Sequence, residues 1–188
     1  MNKQVWIKKA LGLGIQEFEI YQSTTVEKEM TWFQGQMDTL VSSKVTGTSI
    51  RGIVDGKMAN MALEEIDDSM CETVLKSLIE QAHIISNEET DSLRKPEPIE
   101  YAKKDVTWNM ASTEYVKDIL QSLEAKILAY DPRVIQVGYL GYSQGSGSRS
   151  IVNSLGMDVQ DADEMQYIVA SVVVKEEEEV KDASLVEV

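Results

Sequence analysis

Apolar and polar positions along the chain fall first into a short helical spacing and then into long alternations. Residues 3–11 (KQVWIKKAL) read as a short amphipathic helix with Val5, Trp6, Ala10 and Leu11 turned inward, and Gly12 and Gly14 supply its stop. The next stretch, EFEIYQSTTVEKEMTWF, alternates from Phe18 and Ile20 and is rich in β-formers, which predicts one long strand. Gln34-Gly35 turns the chain into MDTLVSSKV, a second strand. Gly47 then opens TSIRGIVDGKMANMAL, a hairpin whose Asp55-Gly56 dipeptide suits a type I′ turn, because both central residues need φ > 0. The economical arrangement is an antiparallel meander of about four strands.

Helical spacing returns at Asp67, Asp68 or Ser69, all competent N-caps, with Ser69 and Glu72 spaced as a capping box. Met70, Val74, Leu75, Leu78, Ile79, Ala82 and Ile85 draw one stripe that must lie on the sheet. A second helix runs from Ser112 to Tyr130 on the stripe Val116, Ile119, Leu120, Leu123 and Ile127, and Asp131-Pro132 ends it. Extended segments follow: VIQVGYLGYS, SRSIVNS, and a long one over 157–174, with Asn153-Ser154-Leu155-Gly156 as the turn between the last two. Residues 86–108 are polar, contain Pro96 and Pro98, and lack periodicity, which marks a linker. The fold class expected is therefore α+β: antiparallel sheets with two main amphipathic helices packed on one face. The expected division is a first α/β subdomain at 1–88, a linker at 89–106 and a second subdomain at 107–188.

Charge narrows the partners. The net charge is −14, and residues 157–188 hold ten Asp/Glu against two Lys, so −8 of it sits there. No basic footprint is present to displace nucleic-acid counterions, which disfavours DNA or RNA as a ligand. No stretch approaches a membrane-spanning length of apolar residues, and the N-terminus lacks a signal-like apolar run. A single cysteine, Cys71, excludes an internal disulfide and favours a reducing compartment, so a cytoplasmic location is expected.

Candidate chemistry is sparse. His83 is the only histidine, whereas zinc hydrolases use two or three His or carboxylate ligands at fixed spacings; its place near the end of a helix favours a structural role. Cys71 lies in the first turn of the same helix, where a thiol pKa can fall, but no base is near it in sequence and His83 is about three turns away. Gly138 to Gly147 has the look of a phosphate loop, yet it lacks the GK[ST] ending and leads into an extended segment, so a hairpin or bulged loop is expected. Glu176 to Glu179 reads as a solvated loop or frayed strand end, since successive strand residues alternate faces and do not converge on a cation. Trp32-Phe33 and the methionines Met30, Met37, Met58, Met61 and Met70 read as core rather than as an adaptable binding surface. No catalytic, cofactor-binding or metal-ligating residue is assigned. The strand over 157–174 would present an unpaired edge that recruits other copies.

The order of these features resembles the amino-terminal region of the TldD/PmbA peptidase family, also called the modulator of DNA gyrase family. The resemblance rests on GTSIRGIVDGKMANMAL, on IDDSMCETVLKSLIEQAHIIS, and on AYDPRVIQVGYLGYSQGSGSRSIVNSLGMDV, and it spans about Gly14 to Val174. It leans towards the PmbA/TldE side. Family resemblance implies a metallopeptidase whose catalytic member binds zinc through a helical HExxxH-type motif and a cysteine, both downstream of this region. It also implies a metal-free partner subunit and an enclosed chamber admitting unfolded peptides. None of those ligands maps here, and Asp55, Gly56, Asn153, Ser154 and Gly156 match the family pattern as turn residues. The expectation is a shortened, non-catalytic front portion of a peptidase subunit; the competing expectation is a stand-alone protein-binding module.

Overall fold

Two-residue turns set the strand lengths. Gln34 and Gly35 have φ 49° and 79°, and Asp55 and Gly56 have φ 49° and 75°, the pair of positive values that a type I′ hairpin needs. A computed structural model describes residues 1–64, 66–86, 90–97 and 110–188. Most of the linker stretch, Pro98 included, lies outside the described residues.

Helix α1 (Lys3–Gly12) is followed by β1 (Glu17–Phe33), β2 (Gln36–Val54) and β3 (Lys57–Leu63). A single 3-10 turn, Asp68–Met70, leads into α2 (Cys71–Ile84), and α3 spans Thr113–Tyr130. The chain ends in β4 (Val134–Asn153), β5 (Asp158–Glu176) and β6 (Glu179–Glu187). The strands form one antiparallel six-stranded sheet in the order β3-β2-β1-β4-β5-β6, which with the helices makes an α+β fold.

Several expectations are corrected. Gly47 does not open a strand: β2 runs through it for 19 residues, so the first meander has three strands and not four. A glycine within a strand weakens the pairing without ending it, and the neighbouring strand β1 holds Gly47 extended. The Gly138–Gly147 stretch is likewise no loop but the middle of the 20-residue β4. The acidic run forms the β5–β6 hairpin, where Glu177 takes φ 54°, and β6 had no counterpart in the sequence reading.

Two compact units share these strands. The first gathers Met1–Thr24, the described residues of 45–105 and Gly147–Ala162. Its core comprises Trp6, Phe18, Ile20, Ile50, Leu75, Leu78 and their neighbours, all buried. On α1 the inward residues are Trp6, Ile7 and Ala10, while Val5 and Leu11 are exposed. The face is rotated because the Trp6 indole donates to Asp68 Oδ1 at 2.9 Å, fixing the helix by its largest side chain. Helix α2 buries Cys71, Val74, Leu75, Leu78 and Ala82, and Met70 is left exposed. No capping box forms: Asp67 accepts from Ser69 N at 2.7 Å and from the Ser69 hydroxyl, which caps the 3-10 turn instead. Residues 90–97 dock on this unit, with Leu93 N donating to Glu17 Oε2 at 2.6 Å and Leu93 itself buried.

The second unit gathers Thr25–Lys44, the described residues of 106–146 and Asp163–Val188. Met30, Trp32, Val116, Leu120, Val137, Leu140 and Tyr142 form its core. Ser112 caps α3 by accepting from Tyr115 N at 3.2 Å, and the helix ends at an extended Asp131, as the following proline requires. The methionines do not share one surface: Met30 is in this core, Met61 packs on the first unit's core, and Met37 and Met70 are exposed. No helix among the described residues is long and apolar enough to cross a membrane.

Candidate functional site

The residues singled out for chemistry stand apart. Cys71 is fully buried in the first unit's core, and burial pushes its thiol pKa up, the opposite of an activated thiolate. His83 is exposed on α2, with Nε2 3.6 Å from Asp55 Oδ2 at the hairpin turn. One carboxylate at that distance completes no zinc set, and no group of three or more His, Cys, Asp or Glu converges among the described residues. These side chains do not fit the zinc that the family resemblance implies. Of the glycines of β4, Gly141 serves packing: a Cβ there would lie 2.6 Å from the Tyr139 hydroxyl, so the tyrosine ring lies across the space a side chain would need.

Tertiary structure instead assembles three polar clusters that the sequence reading missed. In the first unit Glu19 is 2% exposed and accepts from Arg51 through Nε at 3.0 Å and through a second guanidinium nitrogen. Its other oxygen accepts from Asn153 Nδ2 at 3.3 Å, and the same nitrogen donates to the Arg94 carbonyl at 2.9 Å. Asn153 Oδ1 in turn accepts from Leu155 N and Met157 N, both at 3.0 Å, which shapes the β4–β5 turn. The Arg51 side chain is 44% exposed, so the pair is buried on one side and solvated on the other. Opposite charges on strands paired through hairpins were the available signal.

In the second unit Glu124 is 8% exposed. One carboxylate oxygen accepts from the Trp32 indole at 2.7 Å and from Gly35 N at 3.0 Å, so a helix residue braces the β1–β2 turn. The sequence carried a clue: Val116, Leu120 and Glu124 recur every four residues, placing the acid on the apolar stripe. Ahead of the start of α3, Gln144 Oε1 accepts from Tyr142 at 2.7 Å and from Ala111 N at 3.1 Å, while its Nε2 has no partner among the described residues.

A third contact joins an amine and a hydroxyl. Lys3 Nζ donates to Ser150 Oγ at 2.5 Å, and the Ser150 hydroxyl donates to the Gln22 carbonyl at 3.5 Å. Burial lowers the Lys3 pKa and Asp158 opposes that shift. The amine–hydroxyl pair tethers α1 to β4.

An open cavity of about 360 Å³ lies in the second unit over Val134, Val172 and Val174. Arg133 on its rim grips Asp131 through Nε at 3.0 Å and a terminal nitrogen at 2.9 Å, and reaches Glu176 at 3.5 Å. Those hydrogen bonds hold the Asp131 carboxyl down at about 2 from an ordinary 3.8 and raise the Arg133 pKa. A carboxyl depressed on folding stabilises the native state above its unfolded pKa and loses that contribution as pH falls through about 2. Replacing Arg133→Gln is expected to raise the Asp131 pKa from about 2 towards 3.8, read by NMR titration of the carboxyl, and to shrink this loss, while the backbone N–H of residue 133, 2.9 Å from Asp131 Oδ1, still holds the carboxyl below 3.8. An unchanged titration would show that the guanidinium is not the cause.

Two successive stretches of the chain match known protein domains. Residues 18–86 match the PmbA/TldA metallopeptidase domain 1, and residues 107–185 match the PmbA/TldA metallopeptidase central domain. No curated protein matches by sequence. Among solved structures, TldE from Thermococcus kodakarensis superposes with a TM-score of 0.80 at 18% identity, over 98% of this chain and 42% of that one. A protein described as a modulator of a DNA gyrase, from Thermotoga maritima MSB8, gives 0.79 at 18% identity, over 98% and 42%. A similarly described protein from Bacteroides thetaiotaomicron VPI-5482 gives 0.72 at 18% identity, over 97% and 43%. The chain thus spans less than half the length of these structures, and the likeness to them is one of fold. With both domain profiles matched in order over most of its length, the chain belongs to the PmbA/TldD family and corresponds to its amino-terminal region.

Proposed function

We propose that the chain is the amino-terminal, non-catalytic portion of a PmbA/TldD-type metallopeptidase subunit, acting in the cytoplasm. In this reading its two regions, 1–88 and 107–188, wall a peptide chamber and contact a partner subunit of the same family. The observation that carries the reading is the ordered match of domain 1 and the central domain. Zinc, the metal of the family's catalytic member, would be held by residues outside this chain. The net charge of −14 accords with protein and peptide partners rather than nucleic acid.

The test is co-expression with a full-length, metal-bearing family member from the same genome. The two are expected to co-purify, and zinc-dependent cleavage of casein is expected only when that member is present. The isolated chain with added zinc should leave casein and short peptides intact. Cleavage by the isolated chain that disappears on His83→Ala would overturn the non-catalytic role. Separation of the two proteins on purification would overturn the subunit role.

A further inference from the structure

Every open sheet leaves two edges, and here four stretches of edge differ in how they are protected. Strand β3 pairs with β2 only from Thr48 to Val54, and its own outer side is met by Asp91, whose Oδ2 accepts from Met58 N at 3.1 Å. Strand β5 pairs with β6 from Ile168 to Glu176, so the edge expected to be bare over 157–174 is covered along that length. The remaining part of β5 carries Asp158, Asp161, Asp163 and Glu164, which repel a second copy. On β6 the register that uses the whole strand sets Glu179 against Glu187 of another copy, again like against like.

The fourth stretch is different. From Gln36 to Gly47, β2 has no strand on its outer side among the described residues. Residues 36–42 are exposed on both faces of the strand, with Met37 and Leu40 each 43% exposed and Val41 49%. Aligned antiparallel with itself about Val41, the segment DTLVSSK places Asp38 opposite Lys44 at both ends and Val41 opposite Val41 at the centre. Asp38 accepts only from the hydroxyls of Thr31 and Thr39, at 3.3 and 3.2 Å, and Lys44 makes no ion pair among the described residues. Both charges are therefore free to pair across such a seam. Edge strands that avoid pairing carry charges that oppose a neighbour; this one carries charges that match its own copy.

We propose that residues 38–44 of β2 form an edge-to-edge contact with the same residues of a second copy, a two-fold pairing centred on Val41. The proposal does not rest on the peptidase-subunit reading and survives its failure. A seven-residue seam is small, so the dimer is expected to be weak and concentration-dependent.

Sedimentation velocity of the 188-residue chain at about 0.15 M salt, where the Debye length is roughly 8 Å, tests it. A reversible shift from 21.0 kDa to twice that mass is expected as concentration rises. Asp38→Lys alone, or Lys44→Asp alone, sets like charges opposite each other twice and should weaken association by about tenfold. The double exchange restores opposite charges and should recover the original affinity within about twofold. Circular dichroism melts check that these exposed variants remain folded. A monomer up to about 200 μM, or a dimer indifferent to both single changes, overturns the proposal.

Discussion

Replacing Glu124→Ala is expected to lower stability by about 2–4 kcal/mol, the larger share of it in the second unit. The carboxylate is 8% exposed and accepts two donors through one oxygen. Alanine would strand the Trp32 indole, itself 3% exposed, beside a cavity, while the amide of the exposed Gly35 would turn to water. Each buried donor without a partner costs about 1–3 kcal/mol, and a bridging water recovers only part of that. Glu124→Gln keeps an acceptor oxygen at the same place and should cost about 1 kcal/mol, since a neutral acceptor is weaker than a charged one. Urea unfolding followed by the hydrogen-exchange rate of the Trp32 indole reports on this unit directly. Equal stability of the alanine variant and the parent would mean that the brace contributes nothing.

Gly52→Val should be the most damaging single change in the first unit, at about 3 kcal/mol. Two effects oppose each other there. Valine has a higher strand propensity than glycine, a gain of up to about 1 kcal/mol, and Gly52 has no positive φ that a side chain would strain. Against this, a Cβ at Gly52 would meet Leu78 Cδ2 at 2.8 Å and Ile15 Cγ2 at 3.1 Å. Leu78 is fully buried and Ile15 nearly so, and neither can swing into solvent. Overpacking wins, because α2 must lift off β2 to admit two further methyl groups. Gly52→Ala should show the same sign at roughly half the size. A rise in melting temperature for valine would show that the helix has room to shift.

The elements that were legible in the sequence are those whose cause is local. Strand β1 occupies the residues its alternation marks, and both hairpin turns fall where the chain offers Gln34-Gly35 and Asp55-Gly56. The stripes of α2 and α3 turn Val74, Leu75, Leu78 and Ala82, and Val116 and Leu120, into their cores, because a helical period of 3.6 is written within a few turns. Family membership was legible for the same reason, in short ordered segments from Gly14 to Val174.

Pairing between distant strands decided the rest. Gly47 and the glycines of β4 are weak breakers by themselves; pairing with β1 keeps Gly47 extended, and β4 lies between β1 and β5. Strand β6 is exposed along its whole length, so no hydrophobic alternation could announce it; its register against β5 creates it. The inward face of α1 turned by one position because the Trp6 indole had a partner 62 residues away. Glu19 and Glu124 are acids by composition and solvated residues by default, and only the approach of Arg51, Asn153, Trp32 and Gly35 makes their burial tolerable. Sequence alone determined the turns, the helical stripes and the family; tertiary structure decided which polar groups are buried and which strand edge stays open, because both depend on partners far apart in the chain.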